Sequence, residues 1–171
     1  AMRLGYVPRN VAEATTPPRN KKKEVQILSR EDIKKFIASS QDHRLFPAFF
    51  LLLTTGLRRG ELLGLQWSDV DLEQGTITVS RSLVYLKGKF IFQEPKTKGS
   101  SRTIPLPEAT QEVVKKWKRK WLEERIALGA NWPKTDLVFP TEVHTPINPR
   151  NFLRTFKDLF KKAELSPAIT I

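Results

Sequence analysis

Thr55-Gly56-Leu57-Arg58-Arg59-Gly60-Glu61-Leu62-Leu63-Gly64-Leu65-Gln66-Trp67-Ser68-Asp69-Val70-Asp71 marks the point where a helical pattern gives way to a β-rich one. Before it, Leu45-Phe46-Pro47-Ala48-Phe49-Phe50-Leu51-Leu52-Leu53 has the composition of a deeply buried helix. Gly56, after Thr54-Thr55, is where such a helix ends in a left-handed cap. Leu57 to Leu65 predicts a short third helix with Arg58 at its start and Glu61 three residues on, on the same face. Glu61 can hold Arg58 rigid. A fixed, permanently charged planar fork suits the two non-bridging oxygens of a phosphodiester, which gain negative charge as a nucleophile adds to phosphorus. Taken alone, Arg-x-x-Glu is more often an ordinary surface ion pair.

Toward the N-terminus, Ser29-Arg30-Glu31-Asp32 offers an N-cap with an acid three residues on. Ile33, Phe36 and Ile37 follow at helical spacing, so a first helix should run to about Ser40. Thr15-Thr16-Pro17-Pro18-Arg19-Asn20-Lys21-Lys22-Lys23 forbids helix and then turns cationic, which makes residues 15–28 a basic linker. Residues 1–14 are too few to fold alone and look like the tail of an upstream domain.

Beyond Asp71, the runs Thr76-Ile77-Thr78-Val79-Ser80, Phe90-Ile91-Phe92 and Arg102-Thr103-Ile104-Pro105 predict a three-stranded antiparallel sheet with tight hairpins. Pro107 opens a long helix whose apolar stripe is Val113, Val114, Trp117, Trp121 and Leu122, and Gly129 closes it. Strand-like Leu137-Val138-Phe139 precedes a last helix begun near Asn148, with Phe152, Phe156, Leu159 and Phe160 on one side. The expected fold class is therefore α+β, mainly helical with a small antiparallel sheet.

The chain has 171 residues, 30 Lys and Arg against 18 Asp and Glu, and a net charge of +12, which points to a polyanionic partner. Nucleic acid leads and an acidic membrane surface follows. The longest apolar stretch is about half of what a bilayer-spanning helix needs, so no membrane span is expected. Cysteine is absent, which excludes disulfides, thiolate metal sites and a Cys nucleophile and agrees with a reducing cytosol. No His, Cys or carboxylate cluster has metal-ligand spacing.

Glu94-Pro95-Lys96-Thr97-Lys98-Gly99-Ser100-Ser101-Arg102 places lysines between two predicted strands, where a long side chain can swing into a cleft. An ammonium there could protonate a departing sugar oxygen, a poor leaving group as an alkoxide. Such general acid help is worth about 10² to 10⁴ in rate. Lys96 is the first choice and Lys98 the second, while the turn alone also fits a solvated basic loop that attracts phosphate. Arg102, Arg59, Lys87 and Lys89 are candidate contacts to DNA backbone. The four tryptophans and the Lys115–Lys120 cluster read as core and solvated helix face respectively.

The stretch Thr55 to Asp71 resembles the first arginine box of the tyrosine recombinases, the phage integrase family. Pro95-Lys96-Thr97-Lys98 ending in Arg102-Thr103-Ile104-Pro105-Leu106 resembles their β-hairpin lysine box, in the correct order and separation. The resemblance implies that Arg58 is the first catalytic arginine, Glu61 its acidic support and Lys96 the catalytic lysine. Residues 29–171 would be the N-terminal part of the catalytic domain, nearest to integrases of bacterial phages and conjugative elements. Residues 1–14 would end the upstream core-binding domain. It further implies site-specific cutting and rejoining of double-stranded DNA in the bacterial cytoplasm through a 3′-phosphotyrosine, without cofactor or metal. Self-association on DNA, as a tetramer in the synaptic complex, is part of the same implication.

The family's pattern continues with a His-x-x-Arg box and a nucleophilic tyrosine. His43 is followed three residues later by Phe46 and His144 by Ile147, so neither opens that box. Tyr6 and Tyr85, the two tyrosines, match no nucleophile position, and both read as structural. Pro167-Ala168-Ile169-Thr170-Ile171 resembles the lead-in to the missing box, so the chain by itself is expected not to cleave. A non-catalytic DNA-binding remnant or regulator with the same fold is the competing reading. A basic RNA-binding domain ranks last, since no aromatic-on-sheet or glycine-clamp signature is present.

Overall fold

The computed structural model describes residues 27–94, 101–166 and 169. Helix α1 (Arg30–Ser40) begins where Ser29 Oγ accepts the Asp32 N–H and the Asp32 carboxylate accepts the Ser29 N–H, a reciprocal cap that satisfies two otherwise open donors. Helix α2 (Phe46–Thr55) carries the apolar run and ends on Gly56 at φ 64°, whose N–H bonds to the Leu52 carbonyl. That left-handed residue turns the chain straight into α3 (Arg59–Leu63), with Arg58 as its N-cap. Helix α4 (Glu108–Leu128) follows Pro107, and α5 (Pro149–Lys162) is capped by Asn148, whose side chain accepts the Arg150 N–H.

The helices close around phenylalanine. Phe36 of α1 meets Phe160 of α5 with ring centroids 4.9 Å apart, and Phe49 of α2 meets Phe152 of α5 at 4.8 Å. Burying each such ring contributes about 1.5–3 kcal/mol. The i, i+4, i+7, i+8 spacing of Phe152, Phe156, Leu159 and Phe160 is what turns one face of α5 inward.

The β-structure departs from the expected single sheet. Strands β1 (Val70–Asp71), β2 (Thr76–Val79) and β5 (Arg102–Pro105) form one antiparallel sheet in the order β1-β2-β5. A separate two-stranded ribbon pairs β3 (Ser82–Leu86) with β4 (Lys89–Gln93). Strand β4, which contains Phe90-Ile91-Phe92, was expected beside β2 and β5. It folds back on β3 instead, because Lys87 and Gly88, at φ 49° and 80°, make the two-residue turn whose twist suits a hairpin. Strands β4 and β5, which come before and after the lysine segment in the sequence, thus belong to different sheets. Leu137-Val138-Phe139 also forms no strand. It makes a single bridge, Gln66 to Leu137, and its carbonyls serve as acceptors for the buried indoles: Trp117 Nε1 donates to Val138 O at 2.6 Å and Trp121 Nε1 to Leu137 O at 3.1 Å. Trp67, Trp117 and Trp121 are core residues, as their spacing predicts.

Candidate active site

The glycines of the arginine stretch set where α3 sits. A Cβ on Gly60 would lie 2.4 Å from Ser82 Oγ, and one on Gly64 would lie 2.9 Å from the Leu83 backbone nitrogen. Gly60 and Gly64, four residues apart on one helical face, thus let α3 press directly against β3. The approach fixes the direction in which the first turn of α3 points its arginines.

Glu61 is the buried centre of that turn, with its residue 8% exposed. Its Oε2 accepts the backbone N–H of Arg58 at 2.8 Å, which closes the open end of the helix, and its Oε1 accepts Arg58 Nη1 at 3.1 Å. Arg102 supplies the remaining donors: Nη1 to Oε1 at 2.9 Å and Nη2 to Oε2 at 2.7 Å. With its acceptor positions filled by four N–H groups, the carboxylate stays ionised. Its pKa falls to about 2, chiefly through the Arg102 hydrogen bonds, with burial opposing and the two Arg58 contacts adding to the fall.

Strand register explains why Arg102 reaches inward. It pairs with Val79, while Ile104 pairs with Ile77, and directly opposed residues in an antiparallel ladder share a face. Ile77 and Val79 are buried, so Arg102 points into the same layer and meets Glu61 there. The guanidinium of Arg102, a candidate contact to backbone phosphate, is held fork to fork by Glu61 and stays 39% exposed at its side chain. The alternation in Arg102-Thr103-Ile104-Pro105 carried the signal, because an inward Ile104 requires an inward Arg102, and an inward arginine needs a carboxylate.

Arg58 is disposed the other way. Its side chain is 81% exposed and gives Glu61 one of its guanidinium donors. It lies on a cleft of about 1060 Å³ whose lining also includes Arg59, Arg150, Asn148, Leu57 and Phe156. Sequence reasoning missed Arg150, which the N-terminus of α5 brings to the cleft that holds Arg58 and Arg59. Tyr85 is on the lining too, with its ring 5.0 Å from that of Phe90. Lys87 and Lys89 are exposed at the turn of the β3–β4 ribbon. Lys96 and Lys98 lie outside the described residues. The described chain on either side of them ends at Glu94 and resumes at Ser101, one residue before Arg102.

A mainly helical domain with small antiparallel sheets is also found among known proteins. The phage integrase family model matches residues 21–171, and the chain belongs to that family. It is similar to a tyrosine recombinase XerC-like protein of Caldanaerobacter subterraneus subsp. tengcongensis, 36% identical over 160 residues that cover 86% of this chain and 41% of that protein. The ICEBs1 integrase of Bacillus subtilis is 33% identical over 148 residues, 85% of this chain and 40% of the integrase. Among solved structures, the Tn1549 transposon integrase in complex with transposon right end DNA shares the fold, with a TM-score of 0.76 and 22% identity over 98% of this chain and 56% of that one. The chain thus spans about 40% of the length of these two relatives. No helix among the described residues is long and apolar enough to cross a membrane.

Proposed function

We propose that this chain is the first part of the catalytic domain of a site-specific DNA recombinase that integrates or excises a mobile element. The observation that carries the reading is the exposed Arg58 guanidinium, anchored at one corner by buried Glu61 and open to a basic cleft. In this reading Arg58 binds the scissile phosphate and stabilises the charge that grows on its non-bridging oxygens. A tyrosine supplied from outside this chain attacks phosphorus and forms a 3′-phosphotyrosine, while the bond to the 5′ oxygen breaks and Lys96 gives that oxygen its proton. A partner strand's 5′ hydroxyl reverses the step, which requires several protomers on two DNA sites. Arg59, Lys87, Lys89 and Lys98 hold the DNA backbone. The chain alone binds DNA and leaves it uncut.

The test uses a full-length protein containing this chain and a nicked suicide duplex. Arg58→Ala should abolish cleavage and keep the fold; full residual cleavage would refute the role. A 5′-phosphorothiolate, whose leaving sulfur needs no proton, should rescue Lys96→Ala. Rescue of Lys98→Ala instead would move the general acid to Lys98. Absence of any covalent adduct in the full-length protein would favour the non-catalytic DNA-binding module.

A further inference from the structure

Arg102 takes no part in the chemistry proposed above. It is 39% exposed at its side chain, yet both of its Nη groups are committed to a carboxylate on a different element. We propose that Arg102 is a positioning residue: by clasping Glu61 it keeps Arg58 free to face the phosphate and ties strand β5, which follows the lysine segment, to helix α3.

The case rests on donor and acceptor counting. A carboxylate has about four acceptor positions, and an arginine has five N–H donors in a planar fork. At Glu61, two positions go to Arg102 and two to the backbone and Nη1 of Arg58. Arg58 therefore donates once through its guanidinium and keeps the rest of its fork for a ligand. Without Arg102, a buried carboxylate would stand beside Arg58 with two acceptors bare, and the nearest way to fill them is to pull the Arg58 fork inward. The cation that should bind phosphate would be consumed by its own support. Lysine cannot stand in, because an ammonium is a point donor and does not span two carboxylate oxygens in parallel.

The same clasp links strand β5 to helix α3. Arg102 is the first residue of β5, and Glu61 lies three residues after Arg58. A bidentate pair constrains distance and angle together, so the strand leaving the lysine segment is held in register with the helix that starts at Arg58. A shift of about 1 Å at such a joint can cost on the order of 10²-fold in rate.

This inference rests on the reading of Arg58 given above, and the experiment separates the two. Arg102→Gln, Arg102→Lys and Arg58→Ala are compared in the full-length protein on a nicked suicide duplex carrying the element's own attachment site. Binding is followed across a salt series and cleavage across pH at saturating DNA. For both Arg102 variants the expected result is a cleavage rate lower by about tenfold or more, with a salt slope of binding that falls no further than it does in Arg58→Ala, because the Arg58 fork is drawn onto Glu61. The acid limb of the cleavage profile should also move upward, because Glu61 loses the partner that holds its carboxyl low. Should Arg102→Gln fail to fold, Arg102→Lys, which keeps the charge and loses the fork, carries the test. Wild-type cleavage with a salt slope reduced by about one would make Arg102 a plain phosphate contact and overturn the proposal. Slower cleavage with an unmoved pH profile would reduce Arg102 to a structural residue and overturn it as well. Arg58→Ala cleaving at full rate would sink the reading of the site itself, whereas an inactive Arg58→Ala beside fully active Arg102 variants would sink only this inference.

Discussion

Gly64 lies so close to Leu83 that a methyl group added to it would sit 2.9 Å from the Leu83 backbone nitrogen. That nitrogen belongs to β3 and cannot rotate away. Gly64→Ala should therefore destabilise the fold by about 1–3 kcal/mol, the usual cost of overpacking. At Gly60 the nearest atom is Ser82 Oγ, a side-chain atom, so Gly60→Ala should be partly relieved by Ser82→Ala and Gly64→Ala should not. Urea denaturation of the three single variants and the two double variants measures both effects, and full relief of Gly64→Ala by Ser82→Ala would contradict the assigned contact.

DNA binding by this chain should be strongly salt-dependent. A net charge of +12 attracts the backbone without choosing a sequence, and each phosphate neutralised releases counterions. Arg58→Ala should lower the slope of log affinity against log salt by about one and leave most of the affinity in place. Fluorescence anisotropy with an unrelated duplex between low and physiological salt is the measurement. A salt-insensitive affinity would place the dominant contacts on the bases.

How much of this was legible from the residues differs by element. Helix boundaries were legible because capping chemistry is local: Ser29 with Asp32, Gly56 after Thr55, and Asn148 before Pro149 each announce an end. The strand Ser82–Leu86 was not, since Leu83-Val84-Tyr85-Leu86 is a short apolar run without alternation and its partner is chosen by the Lys87-Gly88 turn. Missing it also misassigned Phe90-Ile91-Phe92 to the wrong sheet. At the site, the i, i+3 pairing of Arg58 with Glu61 follows from helical spacing alone. The Arg102–Glu61 clasp spans 41 residues and depends on which face β5 turns inward, which the register decides.

The indole contacts allow a clean separation of packing from recognition. Trp117 is buried and donates to Val138 O, so Trp117→Phe loses a buried hydrogen bond and takes from that carbonyl its indole donor. The expected cost is about 1–3 kcal/mol of stability. Affinity for single-stranded or duplex DNA should not change, because no base can reach that ring. Loss of DNA affinity in a variant that remains folded would make Trp117 a stacking platform.

The acid response of the fold should carry the signature of Glu61. Its pKa in the folded chain is about 2, against 4.5 without its partners, so the native state holds the carboxylate more firmly than the unfolded state does. A group with a depressed folded value contributes stability that is fully present above its unfolded value and is lost as pH falls through its folded one. The contribution should thus be constant above about pH 5, decline below 4.5 and vanish below about 2. Asp32 and Glu124 are also held below their ordinary range, by Ser29 and by Arg44 hydrogen bonds respectively, so the total acid loss is shared. The difference between the wild-type chain and Glu61→Gln isolates one carboxylate. It should be largest at neutral pH and shrink steadily from 4.5 toward 2, read by urea denaturation at a series of pH values. A difference that stays constant across that window would mean that Glu61 is not held ionised by Arg102 and Arg58, and the donor count at the centre of the site would have to be abandoned.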